Sequence, residues 1–212
     1  VNKQGKIVWI GHPMSLKEQV LEEIITGRYD VAKAVAEKEQ EEKDRAQLMG
    51  LSRKLNTHMN QQQWDDAEKV IGEMEKLLPA DRKSGLGMMR FHIHTRRGDY
   101  DAAYKVMSDL SDSDPDNAMM QNQLAWTIVA SPELEKRDLA LAEKIAERAN
   151  KAAKGKDPNI LDTLARAQFM NGKKSLAIAT EQKAVDLADD ETKATFEKFL
   201  ASYKKGELPD VE

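Results

Sequence analysis

The chain has 212 residues, of which 33 are basic and 37 acidic, and its net charge at pH 7 is −4. It contains no cysteine, so disulfide bonds, thiolate nucleophiles and cysteine-ligated metal sites are excluded for these residues. Hydrophobic residues make up 40% and aromatic residues only 5%, a composition that favours helices and excludes a large all-β fold. Because no segment is strongly basic or long and apolar, we expect neither nucleic-acid binding nor a membrane span in this chain.

Residues 1–29 are predicted to form a small unit of strands and one helix. A turn over residues 2–5 precedes the apolar run IVWI at 7–10, which is typical of a β-strand. Ser15 is a predicted helix N-cap with a glutamate three residues later, and Gly27 is the predicted helix end. Elements this few and short cannot bury their own faces.

A long helix is predicted to start after Asp30 as its N-cap and to continue to about residue 60. Its first half is dense in Glu and Lys, which indicates a solvent-exposed face with ion pairs. Its second half carries an apolar stripe that includes Leu51 and Leu55, so we expect this half to pack.

The remainder of the chain repeats. The segments QQWDDAEKVIGEMEKLLP and GDYDAAYKVMSDLSDSDP align so that Trp64 matches Tyr100 and Ala67 matches Ala103, each 36 residues apart. Two weaker copies follow, and a further helix precedes each copy, at 48–60, 84–96, 118–130 and 159–170. Self-similarity with this period indicates a solenoid of helical hairpins.

Small residues recur at one position of the second helices, where two antiparallel helices would cross. Close approach needs alanine or glycine at the crossing, and the four copies carry Ala67, Ala103, Ala142 and Ala177. A final amphipathic helix over 191–205, ended by Gly206, is predicted to cap the open end of the array.

The motif Gly98-Asp99-Tyr100, followed by Ala103 and Pro115, resembles the second half of a tetratricopeptide repeat. The first copy matches it with Gln62 in place of the glycine. The third copy has a longer turn over 131–137, and the fourth lacks the aromatic residue and the final proline. The resemblance implies a mainly α solenoid of about four hairpins plus a C-terminal capping helix, which we place at residues 30–206.

Tetratricopeptide arrays bind their partners in a concave groove lined by one face of each first helix. The resemblance therefore implies a protein or peptide partner. Trp126 and Arg166 are expected to be the strongest anchors, because tryptophan and arginine dominate interface hot spots, although Trp126 is equally well interpreted as a core residue. No residue pattern indicates a cofactor. Self-association through an exposed end is a further alternative. Carried onto this chain, the groove residues are Asn56, Met59, Met88, His92, Arg96, Asn122, Trp126, Asp162, Arg166 and Phe169.

The sequence VNKQGKIVWIG with the amphipathic helix after it resembles the closing β-hairpin and last helix of a bacterial thioredoxin-like thiol–disulfide oxidoreductase domain. This resemblance implies that residues 1–29 are the tail of such a domain and that its redox centre lies upstream of this chain. It favours a periplasmic location, whereas without it a cytoplasmic one is equally possible.

No residue pattern in the chain indicates catalysis. His92 and His94 lie two apart on a predicted helix and so point to different faces, which disfavours a metal site. No acidic residue lies in an apolar run that would raise its pKa, and Asp162 is expected to act as a helix cap or as an ion-pair partner of Arg166. We therefore expect a binding scaffold, with the oxidoreductase tail as the alternative.

Overall fold

The computed structural model describes residues 1–12, 14, 16–79 and 82–210. Over these residues it contains ten α-helices and no β-strand, which confirms the mainly α prediction. The chain divides into two compact units, Val1–Leu77 and Leu78–Glu212. The proposed boundary between residues 29 and 30 stays a prediction.

The predicted β-hairpin at the N-terminus is wrong. The Asn2 amide donates a hydrogen bond to the Lys6 carbonyl over 2.8 Å, and Gly5 has a positive φ of 74°, so this stretch forms a turn. The apolar run after it pairs with no strand among the described residues, and Ile7 and Ile10 are exposed. A strand needs a partner for its backbone N–H and C=O groups, and the few residues here supply none.

The helix predicted near the N-terminus is present as α1, Glu18–Thr26, and it ends at Gly27, which has a left-handed φ of 75°. The predicted N-cap, Ser15, lies outside the described residues. Ile24 is the buried residue of α1, whereas Leu21 and Ile25 are exposed. The helix therefore buries little of its apolar surface.

The long helix α2, Val31–Asn60, forms as predicted, and the Asp30 side chain caps it by accepting a 3.0 Å hydrogen bond from the Lys33 amide. Most side chains in its first half are exposed. Its second half buries Leu51 and Leu55 and packs against α3, Trp64–Leu77. These two helices form the hairpin of the first unit.

The second unit contains three hairpins and one further helix. Each first helix has 13 residues and each second helix has 14, so the elements are nearly uniform in length. The helices pack in adjacent pairs, as expected of a helical repeat architecture. Their bounds are α4 Ser84–Arg96, α5 Tyr100–Ser113, α6 Ala118–Ala130, α7 Leu139–Ala152, α8 Pro158–Met170, α9 Lys174–Leu187 and α10 Lys193–Lys205.

The alanines predicted at the helix crossings are fully buried in both units. Ala67 has no exposed surface in the first unit, and Ala103, Ala142 and Ala177 have none in the second. Since a larger side chain at these positions would hold the paired helices apart, these residues explain how each hairpin closes.

Two clusters of apolar side chains form the core of the second unit. The larger cluster runs through α4 to α8 and includes Phe91, Met107, Ile128 and Ile145. α6 also packs against α8, so the first helices of the last two hairpins lie side by side. The smaller cluster joins α8 and α9 to α10, and α10 therefore covers the end of this unit as predicted.

The hairpin turns follow the repeat except in the third copy. Gly98 and Gly172 have positive φ angles of 75° and 78°, and Gln62 takes the equivalent conformation with φ of 56°. In the longer third turn no such residue occurs; instead the Arg137 guanidinium donates to the carbonyls of Ile128 and Ser131. This arginine satisfies carbonyl groups at the end of α6 that a helix otherwise leaves unpaired.

No helix within the described ranges combines the length and apolar character needed to cross a membrane.

Candidate functional site

The predicted groove residues of the first unit lie on α2. Asn56 is exposed and Met59 is half-buried. The binding role of these two residues stays a prediction.

The three predicted residues on α4 have different surroundings. Met88 is half-buried and packs against the larger core cluster. His92 is exposed, with its ring centre 5.6 Å from that of Phe91. Arg96 forms a 2.9 Å ion pair with Glu133 in the third turn. Both partners of this ion pair are more than half exposed, so it contributes little to stability.

The predicted anchors Trp126 and Arg166 lie together. The Arg166 guanidinium sits 5.9 Å from the centre of the Trp126 ring, in cation–π contact. Trp126 is half-buried and also packs against the core, so it serves as both a core residue and a platform for the guanidinium. We call Trp126, Arg166 and the surface around them the Trp–Arg site.

The polypeptide after α10 covers the Trp–Arg site. α10 ends at Gly206, whose φ of 89° turns the chain back. The Arg166 Nη1 donates a 2.9 Å hydrogen bond to the carbonyl oxygen of Pro209. Pro209 is buried, whereas Leu208 is 41% exposed. The site therefore binds the main-chain carbonyl of Pro209, within the short segment of residues 207–210.

Two buried polar side-chain atoms on α6 and α8 have no hydrogen-bond partner among the described residues. One is the Nε of Arg166, and the other is the Oδ1 of Asn122, which lies one helical turn before Trp126 on α6. Buried polar groups are normally satisfied. One donor and one acceptor are thus unpaired on the helices that carry Arg166 and Trp126.

Behind Arg166 lies a buried cluster of ionisable side chains from three helices. Burial raises the pKa of Asp162 on α8 to about 6, although the nearby Arg166 charge lowers it. Burial and the neighbouring Asp162 carboxyl raise the pKa of Glu181 on α9 to about 9. Burial also raises the pKa of Tyr203 on α10. The expectation that no acidic residue has a raised pKa is therefore wrong.

Aromatic and amide contacts hold this cluster in place. The predicted groove residue Phe169 is half-buried, and its ring centre lies 4.7 Å from that of Tyr203. On the same two helices as the carboxyl groups, the Thr180 hydroxyl donates a 2.8 Å hydrogen bond to the buried Gln168 amide oxygen. This hydrogen bond joins α8 to α9.

Glu181, Tyr203 and Pro209 were not among the residues predicted from the sequence. A signal for Glu181 exists, because it lies four residues after Ala177 and three before Ala184, on the buried stripe of α9. No comparable signal exists for Pro209, since its position depends on how the chain turns after α10.

The Trp–Arg site offers an aromatic face and a planar cation that donates to a carbonyl oxygen, which suit binding of a main-chain carbonyl. No group of three or more His, Asp or Glu side chains able to hold a metal ion occurs in the described part of the chain. The sequence contains no cysteine, so these residues do not themselves perform thiol–disulfide exchange.

Comparisons with known proteins give no family assignment. No protein-family model matches this chain, and no curated protein has a significant match to it. The described residues are all-helical, and their helices pack in adjacent pairs, which is compatible with a helical repeat fold.

Proposed function

We propose that this chain is a tetratricopeptide-like scaffold that binds an extended peptide segment of a partner protein at the Trp–Arg site. One observation carries the proposal: Arg166, stacked on Trp126, donates a hydrogen bond to the main-chain carbonyl of Pro209 in the segment after α10. The same geometry suits a segment from another protein, since a carbonyl group is present in every residue.

The energetics of such a contact favour binding. A hydrogen bond from a charged donor contributes about 1.5–3 kcal/mol, and tryptophan and arginine are over-represented among the residues that dominate interfaces. Arg166 is only 7% exposed, so water competes little for its guanidinium. The residues on either side of this pair, Asn122 and Phe169, extend the surface along the same two helices.

Panning a random peptide library on the immobilised full chain tests this proposal. We expect enriched peptides whose affinity falls at least tenfold in Arg166→Met, which keeps the aliphatic stem and removes the donors. Arg53→Met is the matched control, because Arg53 is exposed on α2, and it should bind like the original chain. Thermal melts must show both variants folded. No enrichment, or equal binding to Arg166→Met, would contradict the proposal.

A second proposed function is that residues 1–29 are the end of a thioredoxin-like oxidoreductase domain whose redox centre lies upstream. It is supported by the apolar side chains of this segment that stay exposed, Ile7, Ile10, Leu21 and Ile25, as expected of a fragment of a larger core. The sequence of the full-length transcript tests it. A paired-cysteine motif upstream supports the idea, and its absence eliminates it.

A further inference from the structure

We propose that residues 207–210 are a built-in occupant of the Trp–Arg site, and that the external ligands are extended segments with a proline at the same place, which bind by displacing them. This inference rests on the proposed function and specifies its ligand class.

The Trp–Arg site contacts this segment at the main-chain carbonyl of Pro209, and the proline ring is enclosed. Arg166 is buried and its Nη1 donates to the Pro209 carbonyl, while the Pro209 ring is buried in turn. The neighbouring Leu208 side chain remains 41% exposed. The site therefore encloses the Pro209 ring and leaves much of the Leu208 side chain exposed.

Proline fits this buried position for a chemical reason. Any other residue would bring a backbone N–H into the site, and a buried N–H without an acceptor is costly. Proline has no N–H but keeps its carbonyl oxygen, which is the group that Arg166 binds. An external segment that replaces residues 207–210, which we call the tail, meets the same requirement.

The tail is an incomplete ligand for this site. It leaves the Nε of Arg166 without a partner, and the Oδ1 of Asn122 on the neighbouring helix is also unpaired. A peptide that brings an acceptor to this N–H and a donor to this amide oxygen gains a hydrogen bond at each. The tail competes with an external peptide because Pro209 is tethered only three residues beyond Gly206. A short tether gives an effective concentration in the millimolar range.

The test measures binding of a fluorescent synthetic peptide with the sequence of residues 205–212 to the full-length chain and its variants. Pro209→Lys should release the tail, because a lysine at this position places a second cation against Arg166. Leu208→Lys is the matched control, with the same new charge on an exposed neighbour. We expect the peptide to bind Pro209→Lys at least tenfold more tightly than the original chain or Leu208→Lys, and Arg166→Met in the Pro209→Lys background to lose this gain.

If Pro209→Lys does not fold, as judged by its thermal melt, Pro209→Gly replaces it, since glycine removes the ring without adding charge. Equal binding of the tail peptide to all folded variants overturns the inference. A library-selected peptide that binds the original chain and Pro209→Lys equally well also overturns it, yet leaves the proposed function intact. If neither the tail peptide nor any library peptide binds, the proposed function fails as well.

Discussion

Glu181 shows how a single residue couples this fold to pH. It has no exposed surface, and it shares its surroundings with Asp162, Arg166 and Tyr203. A buried carboxylate next to another carboxyl is unfavourable, so the proton stays on Glu181 well above its ordinary pKa of 4.5, up to about pH 9. The native state therefore binds more protons than the unfolded chain between these two pH values.

The free energy of unfolding is consequently expected to fall as pH rises through this window, by at most about 1.4 kcal/mol per pH unit. The stabilisation from the protonated Glu181 carboxyl is fully present below its pKa in the unfolded chain, 4.5. It is lost as the pH rises through its pKa in the native state, about 9. Glu181→Gln keeps the shape and removes the titration, so its stability should change much less between pH 6.5 and 9. Urea titrations at several pH values measure this difference.

Glu197→Gln is the matched control for this prediction, because Glu197 is exposed on α10. It should keep the pH dependence of the original chain. Parallel curves for Glu181→Gln and the original chain would show that Glu181 does not hold its proton in the native state.

Gln62 carries backbone strain that glycine would relieve. Its φ of 56° matches the glycines of the equivalent turns, and a side chain in the left-handed region costs about 1–2 kcal/mol. Gln62→Gly should therefore stabilise the chain by about 0.5–1 kcal/mol, after the greater flexibility of the unfolded chain is subtracted. The urea midpoint measures the gain.

The adjacent Gln61 provides the comparison for that turn. Its φ is −89°, an ordinary conformation, so Gln61→Gly should lower stability or leave it unchanged. An increase for Gln61→Gly equal to that for Gln62→Gly would rule out strain as the cause.

At the scale of helices, the hairpins depend on small side chains where the helices cross. Ala142 on α7 is fully buried and packs in the same cluster as Leu124 and Ile128 of α6. A leucine there must push the two helices apart, and overpacking of this kind costs about 1–3 kcal/mol. Ala142→Leu should therefore lower the free energy of unfolding by that amount in urea.

The same substitution at Ala140, two residues away, separates the effect of overpacking at the helix crossing from the effect of leucine on helix propensity. Ala140 is exposed on α7, so Ala140→Leu should change stability by less than about 0.5 kcal/mol. If both variants lose the same stability, contact at the crossing is not what closes the hairpin.

The third hairpin shows that an element can keep its geometry when its turn motif is lost. Its turn has no left-handed glycine, and Arg137 binds the carbonyls at the end of α6 instead. Leu134, in the same turn, is buried in the larger core cluster. The longer turn predicted from the sequence is thus an ordered part of the second unit.

For the molecule as a whole, the hairpin array was predictable because its signals are local. These signals span one or two helical turns each. They are the N-cap Asp30, the helix ends at Gly27 and Gly206, and the spacing of the alanines. Each is readable from neighbouring residues. The prediction of an N-terminal β-hairpin was wrong because its signal is not local: a strand exists only when a second strand pairs with it.

Helix positions and the alanines buried between helices could be predicted from the sequence, because helix caps and side-chain periodicity are properties of short segments. The enclosure of Glu181 with Asp162, and the contact of Pro209 with Arg166 across 43 residues of sequence, could not. Both depend on which surfaces meet after packing, and burial sets the pKa of a carboxyl and the strength of a hydrogen bond.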